Sequence, residues 1–176
     1  FIVPKKALTL LTKALSNASI QVQIAYNKSN AFFNFGNQTI ACRLIDAKYP
    51  DFEAVIPKNN PNTLQIQRGE LLTALKRLSN FANQSTHQVR LQLSDSSLTI
   101  EAEDIDFQKK ATEQLPCDYK GNDLRIGFNA RFLIDMLGVI GTDAIRMEFS
   151  TPIRAGVMRP DEDELNEELL MLAMPM

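Results

Sequence analysis

A strand, a helix and three further strands follow one another three times along these 176 residues, and this repetition restricts the fold more than any single motif does. The first copy opens with a strand over residues 1–3 and with Pro4 where a helix can begin. Leu8, Leu11 and Leu15 stand at helical spacing, so the sequence predicts an amphipathic helix over 5–15. Strands are predicted over 20–26, 31–36 and 39–44. Ile20, Val22 and Ile24 alternate with polar residues, as a half-buried strand requires. Turn-forming Asn, Ser and Gly separate these strands at 27–30 and 36–37. The second copy predicts a strand over 63–66, a helix over 69–82 marked by Leu71, Leu75 and Leu78, and strands over 87–93, 98–103 and 106–115 with a tight turn at 95–97. The third predicts a strand over 124–126 and a helix capped by Asn129 and running to Val139, with Phe132, Met136 and Val139 on one face. Its strands are expected over 144–149, 154–158 and 169–173, and the acidic run 161–168 reads as a solvated loop.

Each copy supplies a sheet that needs a helix on one face. Two copies side by side then give one domain with two helices on one face of antiparallel sheets, an α+β arrangement. Copies two and three form such a domain, and copy one is left without a mate. Residues 45–57 (IDAKYPDFEAVIP) separate the two parts. Pro50 biases Tyr49 toward extended backbone and offers no N–H, so this segment is a stiff, partly exposed connector and not a central strand. On composition alone it is either a strap with its aromatics tucked under or one wall of a groove whose other wall is the apolar end 169–176 (LLMLAMPM).

Little in the chain suggests catalysis. His87 is the sole histidine and reads as a surface or cap residue, so no Ser-His-Asp or Cys-His arrangement can be assembled around it. Phosphate-cradling glycine motifs are lacking. Glu101, Glu103, Asp104 and Asp106 are dense enough to suggest a divalent-metal nuclease or hydrolase. They alternate along a strand and its turn, which favours a charged edge that discourages unwanted strand pairing. Cys42 and Cys117 lack metal-ligand spacing and suggest a reduced, intracellular, cytoplasmic protein. No apolar run approaches a membrane span, so no membrane partner is expected. The chain starts at Phe1 without a methionine or a signal peptide, which reads as a piece of a longer protein.

A net charge of −2 argues against gripping nucleic acid by overall charge, yet local basic faces remain available. Lys6, Lys13 and Asn17 lie opposite the apolar face of the first helix. Lys76, Arg77 and Asn80 do so on the second, and Arg131 points outward on the third beside Asp135. Such faces suit sequence-independent phosphate contact, or are simply solvated. At the chain end, Pro175 interrupts any strand ladder, while methionine-rich apolar surface suits a site that accepts several partners. The competing reading packs this tail as core.

Four segments carry a family resemblance. They are Val3-Pro4-Lys5-Lys6, the run from Tyr49 to Pro57, Gly127-Phe128-Asn129-Ala130-Arg131-Phe132, and Ala173-Met174-Pro175-Met176. In order and spacing they resemble the bacterial DNA sliding clamps, the beta subunits of DNA polymerase III. The resemblance implies the DNA-clamp fold, with the latter half of clamp domain 2 over 1–57, a linker over 58–62 and clamp domain 3 over 63–176. It implies a non-enzymatic processivity factor with no cofactor and no metal. The full-length protein is expected to be a head-to-tail homodimer that encircles double-stranded DNA without regard to sequence. Its groove is expected to dock short linear motifs of the DNA polymerase III alpha subunit, the clamp loader, other polymerases and repair proteins. Carried onto this chain, Pro50, Val55, Leu172, Met174, Pro175 and Met176 are groove residues. Lys5, Lys6, Lys13, Lys76, Arg77 and Arg131 face DNA, and Asn80 and Phe81 belong to the subunit interface.

Overall fold

In the computed structural model, which describes residues 1–15, 21–162 and 168–176, each predicted helix forms, and the chain divides into two units, Phe1–Asp51 and Phe52–Met176. The predicted start of a strand at Ile20, and Asn17 on the first helix, lie outside the described residues, as does most of the acidic run. No described helix is long and apolar enough to cross a membrane.

In the first unit, α1 (Lys5–Ala14) precedes an antiparallel sheet of β1 (Gln23–Tyr26), β2 (Asn30–Phe35) and β3 (Gln38–Arg43), in that order. Alternation on β2 buries Ala31, Phe33 and Phe35, and Leu11 and Leu15 of the helical segment pack against them. Leu8, expected on the same face, is exposed, and Ala7 is the buried residue of α1. The strand expected over residues 1–3 is a single antiparallel bridge between Ile2 and Ile45.

The second unit holds β4 (Asn62–Gln67), α2 (Arg68–Leu78), β5 (Gln88–Ser94), β6 (Ser97–Asp104), β7 (Lys109–Pro116), β8 (Asp118–Lys120), β9 (Leu124–Asn129), α3 (Ala130–Val139), β10 (Ala144–Phe149), β11 (Gly156–Pro160) and β12 (Met171–Ala173). Its two antiparallel sheets run β12-β11-β10-β4-β8 and β7-β6-β5-β9. This corrects the expectation that each repeat builds its own sheet, because the first strand of each repeat crosses to the other. Thus β4 pairs with β10, Ile66 opposite Ile145, and β9 pairs with β5, Ile126 opposite Leu91. The exchange closes the edges that β5 and β10 would otherwise present, and it buries apolar side chains that alternate along the incoming strands.

The two helices pack on each other, and α2 also touches strands of both sheets. Leu71, Ala74, Leu75 and Leu78 of α2 are buried as the periodicity predicts, each such leucine contributing about 1.5–3 kcal/mol. On α3 the buried residues are Ala130, Leu133 and Leu137. The face predicted from Phe132, Met136 and Val139 is therefore corrected: Phe132 and Val139 are exposed, because this ten-residue helix carries two adjoining apolar stripes and only one is buried in the core. Buried Asn62 fastens the sheet end. Its Oδ1 accepts from the Asn122 N–H at 2.9 Å, and its Nδ2 donates to the Ser150 carbonyl at 3.2 Å. Gly121, at φ +145°, is required beside it, since a Cβ there would sit 2.3 Å from Asn62 Oδ1.

Candidate functional site

The chain end leaves the sheet where Pro175 forbids the ladder to continue. β12 stops at Ala173, and the next three residues run on beside α3. One backbone bond holds them there, with the Met176 N–H donating to the Gly127 carbonyl of β9 at 3.0 Å. Gly127 permits this approach, because a Cβ would lie 3.1 Å from the Met176 carbonyl oxygen and 2.7 Å from Gln88 Nε2. Two residues on, Asn129 fixes where α3 begins. Its Oδ1 accepts from the Arg131 N–H at 2.9 Å, and its Nδ2 donates to the Thr86 carbonyl at 3.1 Å. Phe132 and Met136, one helical turn apart, are thereby set against the tail.

The result is a groove of about 590 Å³ with α3 as one wall and the segment from Leu172 to Met176 as the other. Asn129 and Asp135 are the polar side chains among its described lining residues, and the rest is aliphatic, aromatic or thioether. A space of this size and character suits an apolar side chain or two of an extended ligand, with polarizable methionines adapting to its shape. Asp135 is the one ionisable side chain among its described lining residues. Asn129→Ala is expected to lower stability by about 1 kcal/mol through loss of the helix cap, measured as a shift in urea midpoint.

Of the residues named from the sequence, the structure brings Leu172, Met174, Pro175 and Met176 together in this groove. Val55 is not among its lining residues and Pro50 belongs to the first unit; the wall opposite the tail is α3. The connector itself turns back at Phe52, whose carbonyl accepts the N–H groups of Val55 and Ile56 at 3.1 and 3.3 Å, and it leaves Tyr49, Phe52 and Val55 exposed instead of tucked under. Sequence reasoning missed Asn129, Phe132 and Met136 as groove residues. The available signal was the second apolar stripe of α3, of which only Met136 also packs against the core.

Lys5, Lys6 and Lys13 are exposed on α1, and Lys76, Arg77 and Arg131 are exposed in the second unit. Arg77 is engaged. Its guanidinium donates to both carboxylate oxygens of Glu113 on β7, and that hydrogen bond holds its pKa above the ordinary value. A phosphate would have to compete with Glu113 there. Lys76 and Arg77 also complement the C-terminal dipole of α2. Asn80 bonds back to the Lys76 and Arg77 carbonyls just past α2, and Phe81 beside it is 40% exposed.

The acidic stretch does not converge. Glu101 pairs with Arg125 at 2.8 Å and Glu103 with Arg90 at 3.0 Å. Buried Asp104 caps its own turn through the N–H groups of Asp106 and Phe107. Asp106 accepts from Asn83. Burial, and secondarily Asp118, pushes the Cys117 thiol above its usual pKa, which keeps it protonated and a poor nucleophile near neutrality.

Paired helices backed by antiparallel sheets, with the first strands of two repeats exchanged, define the class as DNA-clamp domains. Residues 53–176 match the family described as DNA polymerase III beta subunit, C-terminal domain, and residues 1–51 match its central domain. The chain belongs to the DNA polymerase III beta subunit family. It is 31% identical over 175 residues to the beta sliding clamp of Pseudomonas aeruginosa, with 99% of this chain and 47% of that protein covered. A crystal structure of a Pseudomonas aeruginosa DNA polymerase sliding clamp with ligand superposes with a TM-score of 0.92 at 30% identity, covering 99% of this chain and 46% of that one. A Bartonella birtlesii sliding clamp bound to griselimycin gives 0.90 at 30% identity, with the same coverage. The chain thus spans about half the length of the relatives it matches.

Proposed function

We propose that this chain is the peptide-docking portion of a replicative sliding clamp, a non-catalytic processivity factor in the cytoplasm. The observation that carries the reading is the predominantly apolar groove between α3 and the chain end. Membership in the clamp family along nearly the whole chain supports it. In this reading the groove receives short linear motifs of the polymerase alpha subunit, the clamp loader, other polymerases and repair proteins. Leu172, Met174, Pro175 and Met176 form one wall, and Asn129, Phe132 and Met136 are added opposite. Pro50 and Val55 extend the docking surface in the longer protein. There a head-to-tail homodimer, with Asn80 and Phe81 at its subunit contact, encircles duplex DNA. The exposed cations of the helices, Lys5, Lys6, Lys13, Lys76 and Arg131, give loose, salt-sensitive phosphate contacts, and Arg77 joins them when it leaves Glu113.

The test is titration of a fluorescently labelled QLxLF-type pentapeptide into this chain. Saturable binding, competed by unlabelled peptide, is the expected result. No binding at peptide concentrations near about 1 mM, a weak-binding limit, would overturn the assignment of the groove in this chain.

A further inference from the structure

The six methionines of the chain divide by place. Met147 on β10 and Met158 on β11 belong to the core, 1% and 0% exposed. Met136 and Met171 are partly buried against the same core. Met174 and Met176 form the outward pair, 61% and 54% exposed, and both line the groove wall that faces α3. Their exposure follows from Pro175. β12 ends at Ala173, so the side chains on either side of the proline are not packed between neighbouring strands. A thioether in contact with water reacts with two-electron oxidants, whereas one sealed in a core is shielded. The sulfurs most open to oxidation are therefore the ones that shape the groove.

Oxidation changes what that wall presents to a ligand. With a peroxide as oxidant, the sulfur lone pair attacks one peroxide oxygen and an S–O bond forms. The O–O bond breaks, and the other oxygen leaves with both hydrogens as water. Sulfur is oxidised by two electrons and the peroxide is reduced by two. The sulfoxide is polar and chiral, with an acceptor oxygen where the thioether offered apolar surface. That oxygen finds little to pair with in the groove. Of the two polar lining side chains, Asp135 is an acceptor, and the Asn129 amide is held between the Arg131 N–H and the Thr86 carbonyl. An apolar ligand laid over the sulfoxide strips its water and leaves it unsatisfied, which costs affinity.

We propose that Met174 and Met176 are oxidation sites through which a peroxide closes the groove to its ligands. The closure is reversible, because methionine sulfoxide reductases return the sulfoxide to the thioether. The inference rests on the reading of the groove as a peptide-docking site and adds a control to that site. Docking is lost under oxidising conditions while the fold persists, since Met147 and Met158, which hold the core together, are out of reach of the oxidant.

The test treats the full chain with graded hydrogen peroxide, maps each sulfoxide by mass spectrometry, and titrates the labelled, methionine-free QLxLF-type pentapeptide. Met174 and Met176 are expected to gain oxygen at least about 10-fold faster than Met147 and Met158. Peptide affinity is expected to fall at least about 10-fold as the pair converts, with circular dichroism unchanged. Methionine sulfoxide reductases, one for each epimer, restore binding. Dithiothreitol does not, which excludes Cys42 and Cys117 as the cause. A variant carrying Met174→Leu and Met176→Leu, whatever its own starting affinity, keeps that affinity through the treatment. Undiminished binding after both methionines have converted overturns the proposal. So does a loss of affinity that the double variant still shows, since other residues would then be responsible. An untreated chain that binds no peptide is a different result: it overturns the reading of the groove, and this inference with it.

Discussion

Phe149→Ala is expected to destabilise the second unit by about 3–5 kcal/mol, a large share of the total stability of such a domain. Phe149 ends β10 with its side chain fully buried, and its ring centroid lies 6.2 Å from that of Phe128. Both rings are seated over Gly156, where a Cβ would meet Phe149 at 3.0 Å and Phe128 at 3.2 Å, so glycine makes the space that the rings fill. Removing the ring leaves a cavity that this packing cannot collapse without moving β11. Phe128 also lines the groove, so its loosening is transmitted there. Urea denaturation checks the value, with the midpoint falling and the slope unchanged. A loss below about 1 kcal/mol would show that the site relaxes around the deletion, contrary to the close packing described.

Phe132→Ala and Met174→Ala are expected to do the reverse. Phe132 is 65% exposed and Met174 61%, and neither side chain completes the core, so stability should move by no more than about 0.5 kcal/mol. Affinity for the QLxLF-type peptide should fall at least about 30-fold for each, the effect of losing an aromatic or thioether anchor worth 2 kcal/mol or more. The comparison separates two roles for the chain end. If the tail were core, Met174→Ala would cost about 2–5 kcal/mol of stability. Titration and denaturation on the same preparations decide between them.

Much of this architecture was legible because it is local. Leucine spacing marked α2, the polar side chain of Asn129 marked the start of α3, and Pro175 marked the end of the last strand. The strand exchange was not legible. β4 and β10 are far apart in sequence, and alternation along Thr63–Ile66 says that a face is buried without saying against which neighbour. The same limit misassigned α3. Phe132, Met136 and Val139 form a genuine apolar stripe, and only packing shows that the adjoining Leu133 and Leu137 are buried in the core while Phe132 and Met136 line the groove beside the tail and Val139 stays exposed. The groove's second wall was missed for that reason. The proline-rich connector looked more distinctive than a helix surface.

The exchange of first strands also governs how the second unit comes to be folded. Neither repeat can complete a sheet from its own residues, so an early repeat emerging from a ribosome waits, its edge uncovered, until β10 has been made. Pairing β4 with β10 closes a loop of most of the unit's length, and loop closure of that kind is slow and all-or-none. Two copies of one pattern, which a simple tandem array would let melt separately, are locked into a single cooperative transition.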